Sequence, residues 1–267
     1  SSLTSDGFDV AEGATGYESY VNASGNAYVA WNWKAGGTAV SNTNGSITSQ
    51  VSANTAAGFS IVSYSGVGAS AGATVGHGLN LAPELILPKN RGDIGSWHGY
   101  HSALGGTKGI LLNSTNAAST DAGFWNNTNP TSSVFTVGTY NVFDYDYIAY
   151  CFHSVESYSK VGSYIGNGNL DGTFVYTGFR PAWVMIKNTA DVTHWAIWDS
   201  KRIAYNVITT ALYPSSSDAD QTGTSLYVDF VSNGFKLRSS HNSVNGNNDT
   251  FIYLAFAEAP FKYANAR

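Results

Sequence analysis

Cysteine, charge, long apolar runs and helical periodicity are all scarce in this chain, and each scarcity removes a class of protein. One cysteine, Cys151, occurs in 267 residues, so no internal disulfide framework can hold the fold. None is needed, because a chain of this size buries roughly 70–75% of its unfolded surface. Cys151 stands among apolar neighbours and reads as a buried filler rather than a reactive thiol. Charged residues make up only 12%, and the 13 Lys and Arg against 18 Asp and Glu leave a net charge of −5. No basic stripe for phosphates follows from that balance, which argues against a nucleic-acid partner. No apolar run approaches the roughly 18 residues of a membrane span, so membrane insertion is not expected, and no signal-peptide pattern opens the sequence. Helical periodicity is arguable only over 204–212. No nucleophile elbow, Gly-rich phosphate loop or cofactor fingerprint is present, so no cofactor and no enzymatic activity are expected.

What the chain has instead is aromatic residues, at 14%, set among Gly, Ser, Thr and Asn. Apolar segments recur with the pattern aromatic, aliphatic, Ala, aromatic: Tyr28-Val29-Ala30-Trp31, Tyr147-Ile148-Ala149-Tyr150 and Tyr253-Leu254-Ala255-Phe256. Between the second and third, agreements run at a constant spacing of 98 positions: Pro83 with Pro181, Lys89 with Lys187, Asn90 with Asn188, Trp97 with Trp195, Ser102 with Ser200. Further upstream Tyr64, Gly66 and Gly68 match Tyr164, Gly166 and Gly168 at a spacing of 100. Tandem duplication therefore sets the expected organisation. Residues 58–155 and 156–267 form two units, and residues 1–36 match only the closing part of a unit. The missing half is expected upstream in a longer protein or elsewhere in an assembly.

Residues 37–57 are either a flexible linker or a hairpin turning at Asn42-Thr43-Asn44-Gly45; Val40, Ile47 and Val51 favour the hairpin. Short β-formers bounded by Gly and Asn turns fill both units, with runs such as 251–257 apolar at every position. Such a run needs cover on both faces. The expected fold is all-β, made of tandem antiparallel sandwiches of jelly-roll or lectin-like topology.

Several stretches resemble a known family. Asn22-Ala23-Ser24-Gly25-Asn26-Ala27-Tyr28-Val29-Ala30-Trp31-Asn32-Trp33, Gly45-Ser46-Ile47-Thr48-Ser49-Gln50-Val51, Gly76-His77-Gly78-Leu79, Tyr176-Thr177-Gly178-Phe179-Arg180-Pro181 and Ser232-Asn233-Gly234-Phe235-Lys236-Leu237-Arg238 are similar to the repeated C-terminal region of tail-fibre and appendage proteins of tailed bacteriophages, those of marine bacteria and cyanobacteria above all. The resemblance implies a virion surface protein that assembles with itself, as a homotrimer, and with other virion proteins. It also implies contact with a host surface glycan or protein. A structural spacer or capsid decoration without a ligand is the alternative. The family supplies no catalytic or ligand motif to carry over.

Sugar rings stack on exposed aromatic side chains while their hydroxyls bond amide and carboxylate oxygens, so aromatic residues in polar loops are the candidates for contact. Trp125, Asn126 and Asn127, in an Asn-rich loop with no counterpart in the second unit, lead these, joined by Tyr100 and His101. Trp97 and Trp195 recur at one repeat position and are expected in the core. A cation loop at 167–172 lacks a closing acid, so a Gly/Asn turn is the plainer reading. Asp144 and Asp146 share a face and are expected to be solvated. His98 and His101, three apart on a strand, point to opposite faces and suit no zinc ion.

Overall fold

The computed structural model describes residues 2–4, 7–10, 22–223 and 225–259, in two compact units, 1–33 and 34–267. The protein is all-β, with 38% of residues in strands and 5% in helix. In the first unit β1 (Ser2–Leu3) pairs antiparallel with β2 (Phe8–Asp9). The strand expected at Tyr28–Trp33 does not form, and residues 26–36 carry none. An apolar pattern of that kind suits a strand with neighbours on both sides, and among the described residues no strand pairs with it.

The second unit opens with β3 (Val40–Asn42) and β4 (Ser49–Asn54), paired from Val40↔Val51 to Asn42↔Ser49, so residues 37–57 contain the hairpin. β5 (Phe59–Ser65), β6 (Thr74–Gly76), β7 (Leu85–Asn90), β8 (His98–His101), β9 (Lys108–Leu111), β10 (Ser119–Thr120), helix α1 (Ala122–Trp125), β11 (Val134–Thr136) and β12 (Asp146–Phe152) follow. Eight strands form one antiparallel sheet in the order β10-β9-β8-β7-β12-β5-β4-β3, and β11 pairs with β6. Beyond residue 155 come β13 (Ser159–Ile165), β14 (Phe174–Tyr176), β15 (Pro181–Asn188), β16 (Ala196–Asp199), β17 (Thr210–Ala211), β18 (Gln221–Thr222), β19 (Val228–Val231), β20 (Gly234–Leu237), helix α2 (Asn242–Asn245) and β21 (Thr250–Ala257). They give a four-stranded sheet, β13-β21-β15-β16, a three-stranded sheet, β14-β20-β19, and the pair β17-β18. No helix forms over 204–212; only Thr210 and Ala211 there join a strand.

Each half is sandwich-like. Alternate residues of its larger sheet turn inward onto the smaller one: Val62, Tyr64, Ile86, Tyr147, Ala149 and Cys151 in one core, Tyr164, Val184, Ile186, Phe251, Tyr253 and Ala255 in the other. Burial pushes the Cys151 thiol up to about 12, which leaves it an inert filler. The same pairing appears in both cores. Tyr64 lies opposite Tyr147 and stacks on it at 5.1 Å, while Tyr164 lies opposite Phe251 and stacks at 4.9 Å. Phe135 meets the Tyr64 ring edge-on and Phe235 the Tyr164 ring, both at 6.1 Å. Asn90 faces Tyr147, and Asn188 faces Phe251. Pairing thus matches Tyr147 with Phe251, two residues from the Tyr253 that the sequence pattern selects.

The opposite, outward faces of the two larger sheets meet each other. Phe152 and Phe256 approach edge-on at 6.1 Å, and the Trp195 indole donates to Leu111 O at 2.8 Å. Leu85 and Leu87 on one side, Met185 and Leu254 on the other, are buried yet belong to neither core. This second covered face is why 251–257 is apolar throughout. Trp195 is buried as expected, whereas Trp97 is half-buried and stacks on Tyr150 at 6.0 Å.

Candidate functional site

The leading sequence candidates do not form a surface. Trp125 sits at the end of α1 with 1% of its surface exposed, edge-on to the buried Tyr100 at 5.6 Å. Asp121 caps α1 by accepting from Gly123 N at 2.7 Å, and that turn carries Trp125 inward, so the loop contributes to the core. Asn126 and Asn127 are exposed, but both are left-handed turn residues that end the helix (φ 50° and 54°). His101 is buried on the other face of β8, approaching Tyr253 O at 3.5 Å, while His98 turns inward to Asn141 Oδ1 at 2.7 Å. Trp125, Tyr100 and His101 are therefore corrected from ligand contacts to packing residues. Asn167 and Asn169 close the 167–172 loop by bonding to each other and to Asn245, as a turn does.

An open groove lies instead at one end of β5 and β12. It has two adjoining parts, of about 350 and 240 Å³, that share Arg91 and Asp146. Tyr145 stands at its mouth with 38% of its surface exposed, beside the exposed Phe143. A Cβ on Gly92 would lie 2.8 Å from the Tyr145 ring, so glycine at 92 lets the ring rest on the backbone. Thr48, Gln50, Ser63 and Ser65 supply hydroxyl and amide groups along the floor. Asp144 holds the neighbouring turn by accepting from Gly68 N at 3.2 Å, and Arg91 N donates to Asp146 O at 2.8 Å. Ion pairs between described residues, such as Arg202–Asp199 and Arg238–Asp229, lie in the second half, and Arg91, Asp144 and Asp146 enter none of them. Among the described residues no group of three or more His, Cys, Asp or Glu is placed to hold a metal.

A family model for a domain of unknown function, DUF7483, matches residues 1–260. The chain belongs to the DUF7483 family. No curated protein and no solved structure matches it. Within this DUF7483 chain the groove's Arg91, Tyr145 and Asp146 differ from the residues at the matching positions of the second half. There Gly166 N bonds Asp249 O and Thr189 N bonds Thr250 O, as Gly66 N bonds Tyr145 O and Arg91 N bonds Asp146 O. Asp249, Thr250 and Thr189 thus stand where Tyr145, Asp146 and Arg91 do. The signal that sequence reading missed is this divergence between matched positions, exposed in the first half and half-buried in the second.

Proposed function

We propose that this DUF7483 chain is a non-enzymatic attachment module on the virion surface, part of a tailed-phage appendage, that holds a host surface glycan or protein in the Tyr145–Arg91 groove. The observation that carries the reading is the groove's composition: one exposed ring face beside a cation, two carboxylates and a row of hydroxyl and amide groups. Sugar C–H faces stack on such a ring, and sugar hydroxyls both donate to carboxylates and accept from Arg and Gln. Asp144 and Asp146 are both exposed, whereas the acid of a glycosidase needs a desolvated carboxyl. That favours binding over cleavage. We infer further that residues 58–155 and 156–267 are copies of one jelly-roll or lectin-like unit, supported by the matched Tyr64–Tyr147 and Tyr164–Phe251 stacks. Weak contacts summed over the subunits of an assembly, a homotrimer on the phage resemblance, would hold a particle.

A glycan array probed with a multivalent form of the protein tests the reading. Binding is expected, with Tyr145→Ala and Arg91→Ala each reducing it at least about tenfold, the loss of one stacking or charged contact. Silence across the array at high valency removes the glycan version. The alternative of a spacer or decoration is favoured by one observation, an exposed apolar side on the second half.

A further inference from the structure

We infer that the groove of the first half takes two linked residues of a neutral saccharide, whose adjacent hydroxyls bridge Arg91 and Asp146. This rests on the attachment reading and narrows it to one class of ligand. Arg91 and Asp146 stand opposite each other where β7 leaves β12: Tyr147 pairs with Asn90, and Arg91 N donates to Asp146 O at 2.8 Å. Opposite charges facing across two strands ordinarily bond each other. Here they do not. Among the described residues neither side chain enters an ion pair or a hydrogen bond, although both are exposed and both line each part of the groove. The parted charges decide the class. A carboxylate on the ligand would satisfy Arg91 but meet Asp146, with Asp144 beside it, and a protonated amine would satisfy the acids but meet Arg91. A hydroxyl donates and accepts at once, so neighbouring hydroxyls of a neutral sugar serve both charges, and hydrogen bonds to charged groups are the stronger kind. One guanidinium against two carboxylates also leaves the groove one negative charge in excess, on a chain of net charge −5, which weighs further against acidic saccharides.

The same pair sets the length. Arg91 and Asp146 are common to both parts of the groove, whereas Tyr145 lines only the part of about 350 Å³, and Thr48, Gln50, Ser63 and Ser65 only the part of about 240 Å³. A ring stacked on Tyr145 occupies the larger part, and the smaller, across the charged pair, is left for a second, linked residue. Strand register lays the floor beneath that residue. Gln50 faces Ser63 across β4 and β5, and Ser65 faces Asp146 across β5 and β12. Alternation puts all four on the side of the sheet away from the core, because Val62, Tyr64 and Tyr147 turn inward. Thr48, Gln50 and Ser63 make no side-chain hydrogen bond among the described residues, so their hydroxyl and amide groups are open to a ligand. Tyr64 and Tyr147 border the floor but are only 4% and 1% exposed, so no second ring face is offered there. The second residue is held by its hydroxyls alone.

An array of glucose, mannose and galactose oligomers, with polyuronate and glucosamine oligomers beside them, tests class and length together when probed with a multivalent form of the protein. Neutral disaccharides and longer oligomers are expected to bind, monosaccharides at least about tenfold more weakly, and polyuronates and glucosamine oligomers not at all. Binding to the neutral set is expected to be the same at low and high salt. Gln50→Ala is expected to narrow the disaccharide-to-monosaccharide ratio at least about threefold, the loss of one hydrogen bond, whereas Tyr145→Ala weakens both ligands. Both side chains are exposed, so melting temperatures should stay unchanged and show that the variants fold. The Asp144→Asn, Asp146→Asn double variant keeps an acceptor for Gly68 N, removes the charges that oppose an acid, and is expected to admit polyuronates. Polyuronates or glucosamine oligomers that bind the unaltered chain as well as neutral sugars do, a monosaccharide as tight as its disaccharide, or polyuronates still refused by the double variant each overturn this inference and leave the attachment reading standing. Silence from every saccharide overturns it together with the glycan version of attachment, and leaves a protein receptor.

Discussion

Trp125 and His101 show how a residue's surroundings decide its role. Trp125 fills the first core, and its indole N–H is buried without an acceptor. Trp125→Ala removes a full ring from a packed interior and is expected to cost about 3–5 kcal/mol. Trp125→Phe keeps most of the packing and deletes the orphan donor, so its cost is expected to be well below half of that. Urea denaturation of both variants checks the pair; equal costs would contradict the packing role. Burial pushes the His101 pKa down to about 4, against the opposing pull of Tyr253 O and Glu84, and burial lowers His77 and His98 as well. Unfolded histidine takes its proton near pH 6.5, whereas native His101 refuses it until about pH 4. Between those values the unfolded chain binds more protons. Stability is therefore complete above pH 6.5 and declines as pH falls toward 4, by about 3 kcal/mol from His101 alone. Urea midpoints measured from pH 7.5 to 4.5 should drift downward, and less steeply in His101→Gln; a flat profile would contradict it.

At the scale of elements, proline separates two strands that otherwise match. In β7, Arg91 N bonds Asp146 O, so the odd residues face β12 and the missing N–H of Pro88 falls on the side toward β8. β8 pairs with β7 only at Leu85 and Ile86, so no ladder bond is lost there. In β15 the matching residue is Ile186, and β16 continues to pair as far as Ile186↔Ala196. Ile186→Pro should remove a ladder bond in a buried strand and cost at least about 3 kcal/mol, whereas Pro88→Ile should change stability by under about 1 kcal/mol. Comparable costs in thermal melts would mean that the two ladders do not differ. Much of this architecture was legible in the sequence: the spacing of 98 residues found β7 and β15, and the apolar run 251–257 found β21. The sequence pattern aligns Tyr147 with Tyr253, two residues from the Phe251 that strand pairing matches to it, for a definite reason. Strands have period two, so a slip of two leaves every residue on its own face, and only the partners Asn90 and Asn188 break the tie. The groove stayed hidden because Arg91 and Tyr145 are 54 residues apart and meet only through the β7–β12 pairing. Trp125 misled because a four-residue helix carries too little periodicity to announce which way its end turns.

For the whole molecule, the contact between the larger sheets decides whether the halves can exist apart. Leu85, Leu87 and Phe152 face Met185, Leu254 and Phe256 across it, each worth about 1.5–3 kcal/mol on burial. Six such side chains supply an amount comparable with the 5–15 kcal/mol that separates folded from unfolded domains. Main-chain bonds cross the same boundary, Ala118 N to Thr189 O and Thr193 N to Thr115 O, both at 2.9 Å. A protein consisting only of residues 156–267 would expose Met185, Leu254, Phe256 and the Trp195 ring in one patch. It is therefore expected to bind a hydrophobic dye and to aggregate, although its inner core is complete. Single changes in the seam should act on both halves together: Leu254→Asp places an unpaired charge between the sheets and is expected to unfold them in one transition. Calorimetry of the full chain separates the two possibilities. One transition whose calorimetric and van't Hoff enthalpies agree means that the halves fold as a unit. Two resolved transitions, or a soluble monomeric second half melting at the temperature of the whole, would show that the outward faces touch without depending on each other.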